Sequence, residues 1–148
     1  MDTLFTVLHV VGAVFIVGPM AILPMTAMRA LRSENYAQVA TLAKSTAVFS
    51  YLSLIVFVLG FAVLGMSAPK DNLSFTTPWI LISVIAYAVA IVLSLVVVVP
   101  AMRRAAEAPA GPSSGSPAAP RSNAAVSAGS GVVSLLLLLV VVLMVWKP

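Results

Sequence analysis

Residues 78–99 read PWILISVIAYAVAIVLSLVVVV, an uncharged run whose length decides the fold. A helix rises 1.5 Å per residue, so about 20 apolar residues cross a hydrocarbon core of about 30 Å. Pro78 suits a helix's first turn and Trp79 an interfacial anchor, so the run predicts a transmembrane helix.

Three further stretches of the same kind lie to either side. Residues 3–23 carry no charge and predict a first span, with a bend expected where Gly18, Pro19 and Pro24 interrupt its second half. Ser33, Glu34 and Asn35 are cap-type residues, and no Pro or Gly follows until Gly60, so one long helix is expected from Tyr36 to Met66 with its span at 46–66. Its first turns set Tyr36, Val39, Leu42 and Ala43 against Gln38, Thr41 and Lys44, an amphipathic pattern expected to lie at the membrane surface. Residues 67–77, with Pro69, Lys70, Asp71 and Asn72, read as a short exposed loop. Sixteen of the nineteen residues in 105–123 are Ala, Pro, Ser or Gly, which predicts a flexible cytoplasmic linker. A fourth span is expected at 127–146, beginning early enough to include Gly129, Ser130 and Gly131.

Composition agrees with four spans. Of 148 residues, 61% are hydrophobic and 8% charged, where soluble domains carry about 25% charge. The mean hydropathy of +1.14 excludes a soluble globular domain. The net charge of +4 does not indicate nucleic acid, because Arg29, Arg32, Lys44, Arg103, Arg104 and Arg121 fall between the apolar runs, where basic residues set topology. The outer segments hold only Lys70 and Lys147. This asymmetry predicts a multi-pass protein of the cytoplasmic membrane with both termini outside.

Helix contacts in lipid come from small residues and from side chains that hydrogen-bond across the interface. The second span aligns Thr46, Ser50, Ser53, Phe57 and Gly60 on one stripe, and the third aligns Ser83, Tyr87, Ala90 and Ser94. The first offers Thr6, His9, Gly12 and Ala13, whereas the outer half of the fourth is large and aliphatic. Helices one to three are therefore expected to form the tighter core, with the fourth showing more surface to lipid. Depth matching places His9 level with Ser83, Tyr87 and Gly60, and Tyr51 level with Ser94. His9 is expected to be neutral and to bond the Ser83 or Tyr87 hydroxyl. The polar side chains expected to pack helices are thus His9, Ser50, Ser53, Ser83, Tyr87 and Ser94.

His9 is the one ionisable side chain placed well inside a span, and so the one residue to which cofactor binding or proton transfer would fall. A single histidine and no cysteine leave no multi-His or thiolate metal site within one chain. Met20, Met25 and Met28 without such partners read as apolar filling rather than a copper site. No carboxylate lies within a span, which disfavours proton-coupled export, and no nucleophile with a base, carboxylate pair or phosphate-binding glycine loop points to an enzyme.

Leu8, His9, Val10, Val11, Gly12 and Ala13, followed by Gly18 and Arg29 and later by Pro78, Trp79 and Ser83, resemble the domain-of-unknown-function family 2269 of small predicted integral membrane proteins. The resemblance covers roughly residues 4–104. Ile16 and Pro19 stand where members usually carry a Trp and a second Gly. The same segment is more loosely similar to the membrane domains of copper-resistance proteins. The resemblance implies the architecture and no activity.

The expectation is an all-α membrane protein, four helices in an up-down bundle, with no cofactor and no nucleic acid. It is expected to act as a non-catalytic accessory or assembly subunit, in contact with the bilayer and with other membrane subunits or copies of itself. The alternative is a cofactor-binding or small-solute transport protein centred on His9.

Overall fold

The computed structural model describes residues 2–71, 74, 76–107 and 118–146. They form four helices in chain order. Helix α1 joins Asp2–Gly12, a π turn at Ala13–Val17 and Gly18–Arg32. Helix α2 is Tyr36–Asp71. Helix α3 joins Pro78–Leu93, a π turn at Ser94–Val98 and Val99–Glu107, and α4 is Ala118–Trp146. Each contains a segment long and apolar enough to cross a membrane: Thr3–Arg32, Tyr36–Ser67, Pro78–Glu107 and Asn123–Trp146. Among the described residues there is no strand.

The two π turns have one physical cause. The Gly18 N–H reaches Ala13 O and the Val99 N–H reaches Ser94 O, each five residues back. Proline follows immediately in both cases, as Pro19 and Pro100. A proline ring collides with the carbonyl four residues earlier and offers it no N–H. Those carbonyls belong to Phe15 and Val96, inside the wider turns that accommodate the ring. The interruption expected in the first span is therefore a π turn ahead of Pro19, with helix on both sides.

Asn35 links α1 to α2 from both directions. Its N–H reaches Ala30 O at 2.9 Å and the Glu34 N–H reaches Leu31 O at 3.1 Å, which closes the end of α1 as a Schellman motif. Glu34 takes the left-handed position at φ 56°. The Asn35 side-chain oxygen then accepts the Gln38 N–H at 3.2 Å and caps α2. The first turns of α2 bury Val39 and Ala43 in a cluster with Met20, Ala27 and Ala30, while Gln38, Thr41 and Lys44 face out.

The helices pack in ring order: α1 on α2, α2 on α3, α3 on α4, and the second half of α1 on α4. Helix α3 is the most enclosed, with 44% of its apolar window buried, against 17% for α4 and 6% for α1. This corrects the expected tight core of helices one to three. The cause is α4, whose Val126, Ser130, Val133 and Leu137 turn inward and cover α3. Leu135, Leu138, Val145 and Trp146 of α4 are exposed along its outer half.

Two expected segments have narrower bounds. Helix α2 runs through residues 67–71, part of the expected loop, and 72, 73 and 75 lie outside the described residues. The expected linker is helical at both ends, since 105–107 finish α3 and 118–123 begin α4; 108–117 lie outside the described residues. Trp79, at the start of α3, is buried against the bundle.

Candidate functional site: the His9 interlock and the hydroxyl seam

His9 meets α2, not α3. Its Nδ1 lies 2.9 Å from the carbonyl oxygen of Val56. A carbonyl only accepts, so Nδ1 carries a proton and donates; in the tautomer protonated there alone, Nε2 holds the lone pair. The expected partners are occupied elsewhere: the Ser83 hydroxyl donates to Trp79 O at 2.7 Å, and Tyr87 Oη lies 2.7 Å from Ser53 Oγ. Depth matching paired the right levels but not the right neighbours, because the ring order sets α2 beside α1.

Two glycines make this contact possible. Helical side chains tilt toward the N-terminus, so the side chain of residue i+4 overlies the carbonyl of residue i. At Val56 that overlying residue is Gly60, and a Cβ there would stand 2.9 Å from His9 Cε1. Reciprocally, a Cβ on Gly12 would stand 2.8 Å from Val56 Cγ2. The His9 ring thus fills the notch over Gly60 while the Val56 side chain fills the notch at Gly12. His9 and Gly12 share a face of α1 because they are three residues apart, as Val56 and Gly60 share a face of α2 at four. Sequence reasoning missed Val56, since a backbone acceptor carries no residue signature. The available signal was the pair of glycines spaced to uncover it.

Deeper in the bundle, a seam of hydroxyls joins α2 to α3. Ser50 Oγ and Ser94 Oγ are 3.1 Å apart, one residue from the expected level match; Tyr51, the residue matched by depth, is exposed. Ser53 donates to Ser50 O at 2.7 Å, so the Tyr87 hydroxyl is the donor to Ser53. Phe57 stacks on the Tyr87 ring at 4.7 Å between centroids and meets Phe61 edge-on at 4.6 Å. Ser50, Ser53, Ser83, Tyr87 and Ser94 are all buried. Thr46, on the same stripe, donates to Leu42 O at 2.8 Å within its own helix. The seam is saturated: among the described residues no buried side-chain nitrogen or oxygen lacks a partner.

Two specific contacts add to the packing of α4. Ser134 donates to Ala21 O on α1 at 3.0 Å. Gly129 lies against the α3 π turn so closely that a Cβ would stand 2.9 Å from Val98 Cγ2. Among the described residues no group of three His, Cys, Asp or Glu gathers as metal ligands would. His9 is accordingly the one side chain in these contacts with an atom suited to a ligand, Nε2.

Four long apolar helices whose buried polar groups serve one another define a multi-pass integral membrane protein. The chain matches the predicted integral membrane protein family DUF2269 over residues 3–148 and belongs to that family. The match extends through α4, beyond the 4–104 region that carried the resemblance. No curated protein and no solved structure matches the chain.

Proposed function

We propose that the protein is a non-catalytic accessory or assembly subunit of a larger membrane complex. The observation that carries this reading is the contrast between the two sides of α1. Its inward face is fastened by the His9–Val56 interlock and the Ala21–Ser134 bond, while Leu4, Val10, Val14, Phe15 and Ile22 stand exposed along its length. Lipid satisfies such a surface, and so does another transmembrane helix, from a second subunit or a second copy of the chain. The saturated hydroxyl seam adds support, since its groups are committed to holding helices together. The test is in-membrane cross-linking from photoreactive residues at Val14 and Phe15, followed by mild-detergent purification. Specific adducts with one protein support the reading; lipid adducts alone and a bare monomer overturn it.

The basic residues Arg29, Arg32, Lys44, Arg103 and Arg104 gather at one end of the bundle, which supports a cytoplasmic-membrane orientation with that end inside and both termini outside.

A second reading, a cofactor or small-solute site at His9, has its own support. A ring held by Nδ1–H donation to a backbone carbonyl is the arrangement in which Nε2 is oriented as a ligand. Haem absorbance in protein purified from native membranes, lost in His9→Leu, would carry that reading; a colourless protein with His9→Leu fully functional leaves the packing role alone.

A further inference from the structure

At the arginine-bearing end, a groove of about 280 Å³ opens between α1 and α4. Arg29 and Arg32, three residues apart and hence on one face of α1, form one wall together with Met25 and Met28. Ser127 and Gly131 of α4 form the other. Both arginines are exposed, and neither is ion-paired with a described residue. Ser130 also lines the groove, with its hydroxyl donating to Ser127 O at 3.0 Å, while Ser127 itself is exposed.

The two walls share one polarity gradient. Moving from the arginine end toward the middle of the bundle, α1 passes from Arg29 to Met25 and Ile22, the last two exposed and apolar. Helix α4, running the other way, passes from Ser127 through Gly131 to Leu135, which is also exposed. The Ser134–Ala21 bond crosses between the helices just beyond the groove and fixes their register. Cationic forks and a hydroxyl at the bilayer surface, continued by an apolar track into the hydrocarbon, form the complement of an anionic amphiphile. The volume falls below the roughly 300 Å³ at which sites enclosing whole small molecules begin, so the groove takes a headgroup while the chains lie outside. Guanidinium pairs phosphate in bidentate fashion, and basic pockets between transmembrane helices bind anionic lipid headgroups.

We propose that this groove binds the headgroup phosphate of an anionic phospholipid, held by Arg29, Arg32 and Ser127, with an acyl chain along Met25, Ile22 and Leu135. The proposal stands independently of any protein partner.

The experiment is native mass spectrometry of the delipidated full chain, titrated separately with phosphatidylglycerol, phosphatidylcholine and inorganic phosphate. Phosphatidylglycerol is expected to bind preferentially. Surface charge makes each basic residue count, so R29Q/R32Q should weaken that binding roughly thirtyfold. R103Q/R104Q, at the same end but outside the groove, should change it by less than about threefold under screening salt. Gly131→Leu is the second variant: Gly131 lines the groove and a Cβ there meets nothing within 4 Å, so the added side chain has the groove to enter. It should abolish preferential binding without lowering lipid-free thermal stability, since replacing a helical glycine adds helix propensity. Unaltered phosphatidylglycerol binding in both R29Q/R32Q and Gly131→Leu overturns the proposal. Equal binding of phosphatidylcholine, or displacement of the lipid by inorganic phosphate, overturns the assignment to an anionic lipid.

Discussion

Replacing Gly60 by Ala puts a methyl group where the His9 ring now sits. The new carbon would lie 2.9 Å from Cε1, where ordinary contacts begin at 3.4 Å, so the ring must retreat by about 0.5 Å. That stretches the 2.9 Å Nδ1–H···O bond to about 3.4 Å, beyond useful length. A hydrogen bond between transmembrane helices is worth about 0.6 kcal/mol on average and about 1.7 at most. Overpacking adds about 1–3 kcal/mol, and the better helix propensity of Ala returns about 1. The net expectation is a destabilisation of about 2 kcal/mol, read by denaturant titration in mixed micelles with Trp79 and Trp146 fluorescence. The decisive background is His9→Ala, which removes the ring. There Gly60→Ala should become neutral or stabilising by up to about 1 kcal/mol, reversing its sign. An equal cost in both backgrounds, or a gain in the native one, would refute the interlock.

Other substitutions probe the remaining contacts by the same titration. Ser53→Ala should cost more than Tyr87→Phe: it strands the buried Tyr87 hydroxyl, a penalty of about 1–3 kcal/mol, whereas the latter removes one bond and keeps the Phe57 stack; equal costs would contradict the assigned donor. Gly129→Ala should destabilise through Val98, while Gly65→Ala, which meets nothing within 4 Å, should stabilise by up to about 1 kcal/mol; the reverse order would contradict the α3–α4 packing. At the α1–α2 turn, Glu34→Gly should stabilise by about 0.5 kcal/mol and Glu34→Val should destabilise, because the left-handed position disfavours side chains, most of all β-branched ones; no difference between the two would contradict the Schellman geometry.

Four helices were legible from hydropathy because lipid forces backbone polar groups to pair within each helix, so a run's length and charge suffice to find a span. The stripes Ser50–Ser53 and Ser83–Tyr87–Ser94 were legible for a related reason: polar side chains at helical spacing turn inward. Neighbour order was not legible, since depth along a span says nothing of position around a ring, and this is why His9 was paired with α3 instead of α2. The extra helical turns at 67–71 and 105–107 escaped composition because a helix already under way extends at little cost, even through residues common in loops. The groove at Arg29 and Arg32 needed α4 in place beside α1, a contact between residues far apart in the chain.

The central claim is that these helices thread a bilayer in alternating directions. The chain has no cysteine, so single cysteines at Ser33, in the α1–α2 turn, and at Ser74, before α3, give clean readouts with a membrane-impermeant thiol reagent. In sealed vesicles of known orientation the two positions should label from opposite sides, and a cysteine at Leu54, exposed on the bundle at 40%, should label from neither because lipid covers it. Labelling of Ser33 and Ser74 positions from the same side, or ready labelling at Leu54, would contradict the account.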